Sequence, residues 1–154
     1  MTGKADISAA HILVIDDDER LRDLLQRFLS ESEFLVTAAG SAEEARAFLV
    51  GTMFDLLVID VMMPEETGTE FLADLRKRSS VPALFLTAIN ETEDRIAGLE
   101  TGADDYVAKP FEPRELILRI KRILARQKLT ERPSLVHFGM FSYDIDRQIL
   151  MEDG

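Results

Sequence analysis

Short apolar runs alternate along this chain with longer segments of helical period. The first run, His11-Ile12-Leu13-Val14-Ile15, ends abruptly on Asp16-Asp17. Leu21, Leu24, Leu25, Phe28 and Leu29 then recur at helical spacing. A second strand is predicted over 34–38. Ser41 follows as an N-cap, with Glu44 completing a capping box for a helix faced by Ala42, Ala45, Phe48 and Leu49. A third strand over 55–60 ends on Asp60 and is followed by a loop to Gly68. A helix from about Thr69 carries Phe71, Leu72 and Leu75. Pro82 opens a fourth strand ending at Thr87, and residues 91–100 read as a helix closed by Gly102. A fifth strand is predicted over 103–108, ahead of Lys109-Pro110. Pro113 suits the first turn of a last helix faced by Leu116, Ile117, Ile120, Ile123 and Leu124.

Five strands alternating with five helices predict an α/β fold, a parallel sheet covered on both faces. Runs of Leu, Val and Ile without a polar alternation fit strands buried on both sides. Right-handed crossovers favour a doubly wound sheet of order 2-1-3-4-5. Ligands bind such sheets outside the carboxyl ends of the strands. Here those ends would gather Asp16, Asp17, Asp60, Thr87 and Lys109.

After about Gln127 the pattern changes. Residues 128–134 are polar and contain Pro133, which reads as a linker after a first domain over 11–127. Over 135–154, Val136, Phe138, Phe141, Tyr143, Ile145, Ile149 and Leu150 suggest two or three short strands. So short a stretch cannot build its own core, and it reads as the start of a second, incomplete domain.

Composition narrows the function. A chain of 154 residues that is 46% hydrophobic and 31% charged is globular in character. Its net charge of −11 disfavours a sequence-independent grip on nucleic acid. The absence of cysteine excludes disulfides, zinc-thiolate sites and thiol catalysis. No apolar stretch approaches spanning length, and residues 1–10 lack the apolar core of a signal peptide. A cytoplasmic protein without a membrane partner is the expectation.

Three carboxylates packed together repel unless a cation is present. A hard divalent ion resolves this, and Mg²⁺ suits few carboxylates together with phosphate oxygens. Asp60 at its strand end could attack a phosphoryl donor and form an acyl phosphate. Mg²⁺ and Lys109 would neutralise the equatorial oxygens, and the Thr87 hydroxyl could donate to one of them. Each residue also has a bland reading. Asp18 and Glu19 suit a solvated helix N-terminus. Asp60 alone is a turn residue, Thr87 a strand end, and Lys109-Pro110 an ordinary turn. Their joint placement at strand ends favours the chemical reading.

The motifs Leu13-Val14-Ile15-Asp16-Asp17-Asp18, Asp60-Val61-Met62-Met63-Pro64 with Gly68, Leu86-Thr87-Ala88, Gly102-Ala103-Asp104-Asp105-Tyr106 and Lys109-Pro110-Phe111 together resemble the receiver domain of two-component response regulators. The resemblance implies the flavodoxin/CheY-like arrangement. It implies phosphorylation of Asp60 by a sensor histidine kinase, with Mg²⁺ on Asp17, Asp60 and the Met62 carbonyl and with Asp16 acting through water. It places Lys109 on the phosphoryl group, with a cis peptide before Pro110. It makes Thr87 and Tyr106 a switch pair. Met62 and Ile89 would flank the path of attacking water, and two apolar side chains there imply slow self-dephosphorylation.

The resemblance is nearest to the winged-helix (OmpR/PhoB) class, whose receivers form homodimers on phosphorylation. By that analogy Arg95 would meet Glu115, Asp105 would meet Arg119, and Asp104 would meet Lys121 or Arg122 across a two-fold axis. The alternative is a solvated face with weak ion pairs. Residues 136–150 resemble the opening strands of a winged-helix domain, so DNA binding and transcription control are expected of the parent protein and not of this chain. Such a chain is no enzyme beyond its own phosphorylation and slow dephosphorylation.

Other functions fit less well. A haloacid-dehalogenase-like enzyme wants a second acid two residues after its nucleophile, where Met62 stands. A nucleotide-binding module wants glycines where Asp16-Asp17-Asp18 stand. A phosphorylation-independent interaction domain of the same fold predicts a missing acid, Thr or Lys, and none is missing.

Overall fold

The computed structural model describes residues 9–88 and 102–131, with side chains as far as 127. Five strands run as β1 (His11–Ile15), β2 (Leu35–Ala39), β3 (Leu56–Asp60), β4 (Ala83–Ala88) and β5 (Asp105–Lys109). Among the described residues there are four helices: α1 (Glu19–Glu31), α2 (Ala42–Gly51), α3 (Gly68–Leu75) and α4 (Pro113–Glu131). The helix expected over 91–100 and the strands expected beyond Pro133 lie outside the described residues. The sheet and the cluster of acids described below belong to the first of two compact units, which ends at Ile120.

All strands are parallel, in the order β2-β1-β3-β4-β5. Composition explains the order of burial. Every residue of the central strand β3 is buried, whereas the edge strand β2 begins with an exposed Leu35. Leu13, Ile15, Leu57, Ile59, Phe71, Leu72 and Phe85 share one core cluster, against which Tyr106 packs half-buried. Each such side chain contributes roughly 1.5–3 kcal/mol through burial. That core fixes the strand ends that carry the polar residues.

Helix starts are set by local chemistry. Asp18 caps α1, its carboxylate accepting from the backbone N–H groups of Arg20 and Leu21 at 3.0 and 3.3 Å. Ser41 caps α2 by accepting from Glu44 N–H at 3.1 Å. The Glu44 carboxylate does not close the expected box. It accepts from the Gly40 N–H, one residue earlier, at 2.7 Å. The full capping box is instead at α3, where Thr67 and Glu70 bond each other's backbone N–H. That box draws the helix start back to Gly68. The last helix runs on to Glu131, so residues 128–131 are helical rather than part of the expected linker. No Pro or Gly interrupts the chain there before Pro133.

Candidate functional site

The register of the sheet builds the site. Ile15 pairs with Ile59, Asp60 with Leu86, and Ala88 with Lys109. Side chains alternate along each strand, and paired residues in parallel strands point the same way. Asp16 and Asp60, with Lys109, therefore leave the sheet on one side. Thr87 and Tyr106 fall on the other side, with Phe85.

The contacts agree with this count. The Lys109 ammonium stands 3.4 Å from Asp60 Oδ1 and 3.7 Å from Asp16 Oδ2. Asp16 is fully buried and Asp60 is 4% exposed, while Asp17 is open to solvent. One carboxylate oxygen from each of the three aspartates lies within 4.8 Å of the others. Asp16 Oδ1 accepts from Asp18 N–H at 2.9 Å, and Asp60 Oδ1 accepts from Met62 N–H at 3.3 Å. Asp16 Oδ2 is buried without any hydrogen-bond donor.

Two buried acids and one lysine leave the pair electrostatically unsatisfied. Burial pushes the Asp60 carboxyl up to about 6; the neighbouring Asp16 charge adds to this, and Lys109 opposes it. Burial likewise raises Asp16, against the pull of the Asp18 N–H and Lys109. A buried carboxylate oxygen with no donor is a ready ligand for a hard cation. The residues present therefore fit a divalent ion: three acids, two of them buried, facing one another with an unspent oxygen.

The loop after β3 is folded tightly onto this site. Val61 N–H donates to Leu86 O at 3.0 Å, and Gly68 N–H donates to Val61 O at 2.8 Å. A Cβ on Gly68 would lie 2.4 Å from the Asp60 carbonyl oxygen and 2.8 Å from Ile59 Cγ2, so only glycine fits. Met62 is 57% exposed at the rim. Thr87 is buried, and among the described residues its hydroxyl donates to the adjacent Ala88 carbonyl, at 3.2 Å. The Lys109–Pro110 peptide is cis.

Several of the expected dimer-face charges bond within the single chain. Arg119 Nη1 bonds both Asp105 oxygens at 3.0 and 2.9 Å, and its Nε reaches Glu115 at 3.2 Å, all within one chain. Asp104 Oδ2 accepts from Ala83 N–H at 2.9 Å, so it fastens the start of β4. Lys121 and Arg122 are exposed. Arg95 and Ile89 lie outside the described residues.

Sequence reading missed two arginines. Arg22 Nη1 donates to the Asp16 backbone carbonyl at 2.9 Å. Arg46 binds Glu66, in the loop after β3, and Asp74 on α3. Both look like solvated helix residues, and no spacing in the chain marks them.

Residues 12–121 match the response regulator receiver domain family. The protein PetR of Rhodobacter capsulatus is 52% identical over 142 residues, covering 91% of this chain and 60% of its own. The transcriptional regulatory protein AruR of Pseudomonas aeruginosa is 40% identical over 152 residues, covering 92% and 62%. The receiver domain of a Francisella response regulator superposes with a TM-score of 0.72 at 35% identity, over 77% of this chain and 98% of that one. A CheY-like receiver domain from Methanospirillum hungatei gives 0.75 at 31% identity, covering 80% and 99%.

The chain belongs to the response regulator receiver domain family, and so to the proteins of two-component signalling. It spans about three fifths of the length of the curated relatives it matches.

Proposed function

We propose that Asp60 is the phosphoacceptor of a phosphorelay, charged by a sensor histidine kinase. The observation that carries this is the convergence of Asp16, Asp60 and Lys109, with Asp16 Oδ2 buried and without a donor. An Asp60 oxygen attacks the phosphorus of a phosphohistidine. An O–P bond forms, the P–N bond breaks, and the imidazole nitrogen leaves with the electron pair. Lys109 balances charge on the phosphoryl oxygens. Asp17, Asp60 and the Met62 carbonyl would hold Mg²⁺, with Asp16 acting through water. The ion would supply further charge neutralisation.

Thr87 is suited to a switch, because among the described residues its hydroxyl makes one long bond, to its own neighbour. It exchanges that bond for a phosphoryl oxygen, and the Tyr106 ring takes up the space it leaves. Two discrete packings result rather than a continuum. The face of β5 and α4, with the helix expected over 91–100, carries the change to a second copy of the chain. Arg95, Asp104, Asp105, Glu115, Arg119, Lys121 and Arg122 belong to that homodimer reading. In the parent protein, residues 11–127 are the receiver and 135–154 open a winged-helix domain that binds DNA and controls transcription. The protein works in the cytoplasm. Among the described residues no helix is long and apolar enough to cross a membrane.

The test is the intact mass after incubation with acetyl phosphate and Mg²⁺. A gain of one phosphoryl group, lost in Asp60→Asn and in EDTA, supports the reading. A folded sample that gains nothing makes the chain a phosphorylation-independent interaction domain.

A further inference from the structure

Arg46 sits on α2, yet most of its bonding goes to the loop between β3 and α3. Its Nη1 and Nη2 reach Glu66 Oε1 and Oε2 at 2.7 and 2.8 Å, a two-pronged pair. Nη2 also reaches Asp74 Oδ2 at 2.9 Å, and Arg78 closes on the same oxygen at 2.8 Å. The guanidinium lies 5.1 Å over the ring of Phe71, which is fully buried. The same guanidinium therefore lies on a core ring and bonds the loop.

We propose that Arg46 is a positioning residue for the cation site, a latch that holds the loop so that the Met62 carbonyl is presented to the ion. This rests on the Mg²⁺ reading given above. Three features argue for a latch rather than simple helix packing. The bond from Arg46 to Asp74 already ties α2 to α3, so the two bonds to Glu66 add nothing to that contact. The loop needs an external hold: Glu65, next to Glu66, is a non-glycine residue at φ 72°, a conformation L side chains rarely adopt. The cluster of Arg46, Arg78, Glu66 and Asp74 is also neutral as a whole, so it acts through geometry and not through net field. Within the loop, Glu66 N–H bonds Pro64 O at 2.7 Å. Gly68 N–H and Met62 N–H join its two ends to Val61 and Asp60. A pull on Glu66 is thereby transmitted over a short, closed path to Met62.

The sign of one substitution separates the latch from plain electrostatics. Arg46→Met keeps a long apolar side chain at this position but removes the positive charge and the two-pronged bond. Through-space attraction alone would then favour a cation. The latch predicts the opposite, a loss of Mg²⁺ affinity of roughly 10-fold, as for other groups that orient metal ligands. Glu66→Gln should weaken binding as well. Arg46→Lys, with the charge but not the fork, should fall between Arg46→Met and the unaltered chain.

The measurement is an NMR titration with Mg²⁺, following the Met62 and Asp60 amides, which reads affinity without any phosphorylation. The dispersion of the same spectra reports folding. Weaker binding in Arg46→Met and Glu66→Gln, with phosphorylation by acetyl phosphate recovering at saturating Mg²⁺, supports the latch. Unchanged or tighter binding in a folded Arg46→Met overturns it and leaves the Mg²⁺ reading intact. No Mg²⁺-dependent shift in the unaltered chain overturns both.

Discussion

Arg22 lies across Gly40: a Cβ on residue 40 would stand 2.9 Å from Arg22 Nη1, the same nitrogen that donates to the Asp16 carbonyl. The glycine is a slot for the guanidinium. The side-chain end that would be struck is flexible, so Gly40→Ala should fold. It should push Arg22 off Asp16 and cost about 1 kcal/mol, the worth of one hydrogen bond. Thermal unfolding checks the size. Arg22→Met in the Gly40→Ala background should add little further loss, because the bond is already gone.

Gly68 presents the opposite case. Its missing Cβ faces backbone, the Asp60 carbonyl at 2.4 Å and Val61 Cα at 3.0 Å, and backbone cannot step aside. Gly68→Ala should cost about 2–3 kcal/mol by forced displacement of the β3 end. Denaturant unfolding should show the loss. Phosphorylation by acetyl phosphate should fall as well, since the displaced atoms belong to Asp60 itself.

The acid pair gives a pH dependence with a definite sign. The folded state holds the Asp60 carboxyl near 6, above its ordinary 3.8, chiefly through burial. Between those values the folded chain binds more protons than the unfolded chain. This contribution is therefore full below the unfolded value and is lost as pH rises through about 6. Glu66 and Asp74 are held below their ordinary values, first of all by hydrogen bonds from Arg46. Their contribution is present above the unfolded values and is lost as pH falls. In EDTA, stability should rise from pH 7 toward pH 5, by on the order of 1–3 kcal/mol, and fall again at more acid pH. Urea titrations at each pH check this. Asp60→Asn should flatten the first limb, and saturating Mg²⁺ should do the same in the unaltered chain.

Met62 sets a fourth test. Its side chain is 57% exposed and offers a water no donor and only a weak thioether acceptor. Met62→Asn or Met62→Glu, tried singly, should change the lifetime of the phosphorylated chain several-fold. Following loss of the phosphoryl mass with time gives the rate. A lifetime identical in all three chains would remove Met62 from the control of hydrolysis.

Much of this molecule can be read from its letters. The uninterrupted apolar runs of β1, β3 and β4 mark strands buried on both faces, and the order 2-1-3-4-5 is one of the two common orders of a doubly wound sheet. The acids stand where those runs stop, so the site is legible too. Boundaries are less so. The fifth strand begins at Asp105 rather than at Ala103, because the Asp104 N–H and carboxylate are both spent on Ala83. The start of α3 depends on the reciprocal bonds of Thr67 and Glu70. Arg46 and Glu66 are 20 residues apart, one on a helix and one in a turn. Periodicity is blind to such a pair, because nothing local selects arginine there over any other solvated residue.

The charges of Asp105, Arg119 and Glu115 already satisfy one another inside the chain. A body that settles on this face must replace those bonds as it breaks them. Such a trade leaves little net electrostatic gain, and salt acts on both sides of the exchange alike. What the charges then supply is alignment: a visitor whose own charges are out of step strands a carboxylate or a guanidinium and is rejected.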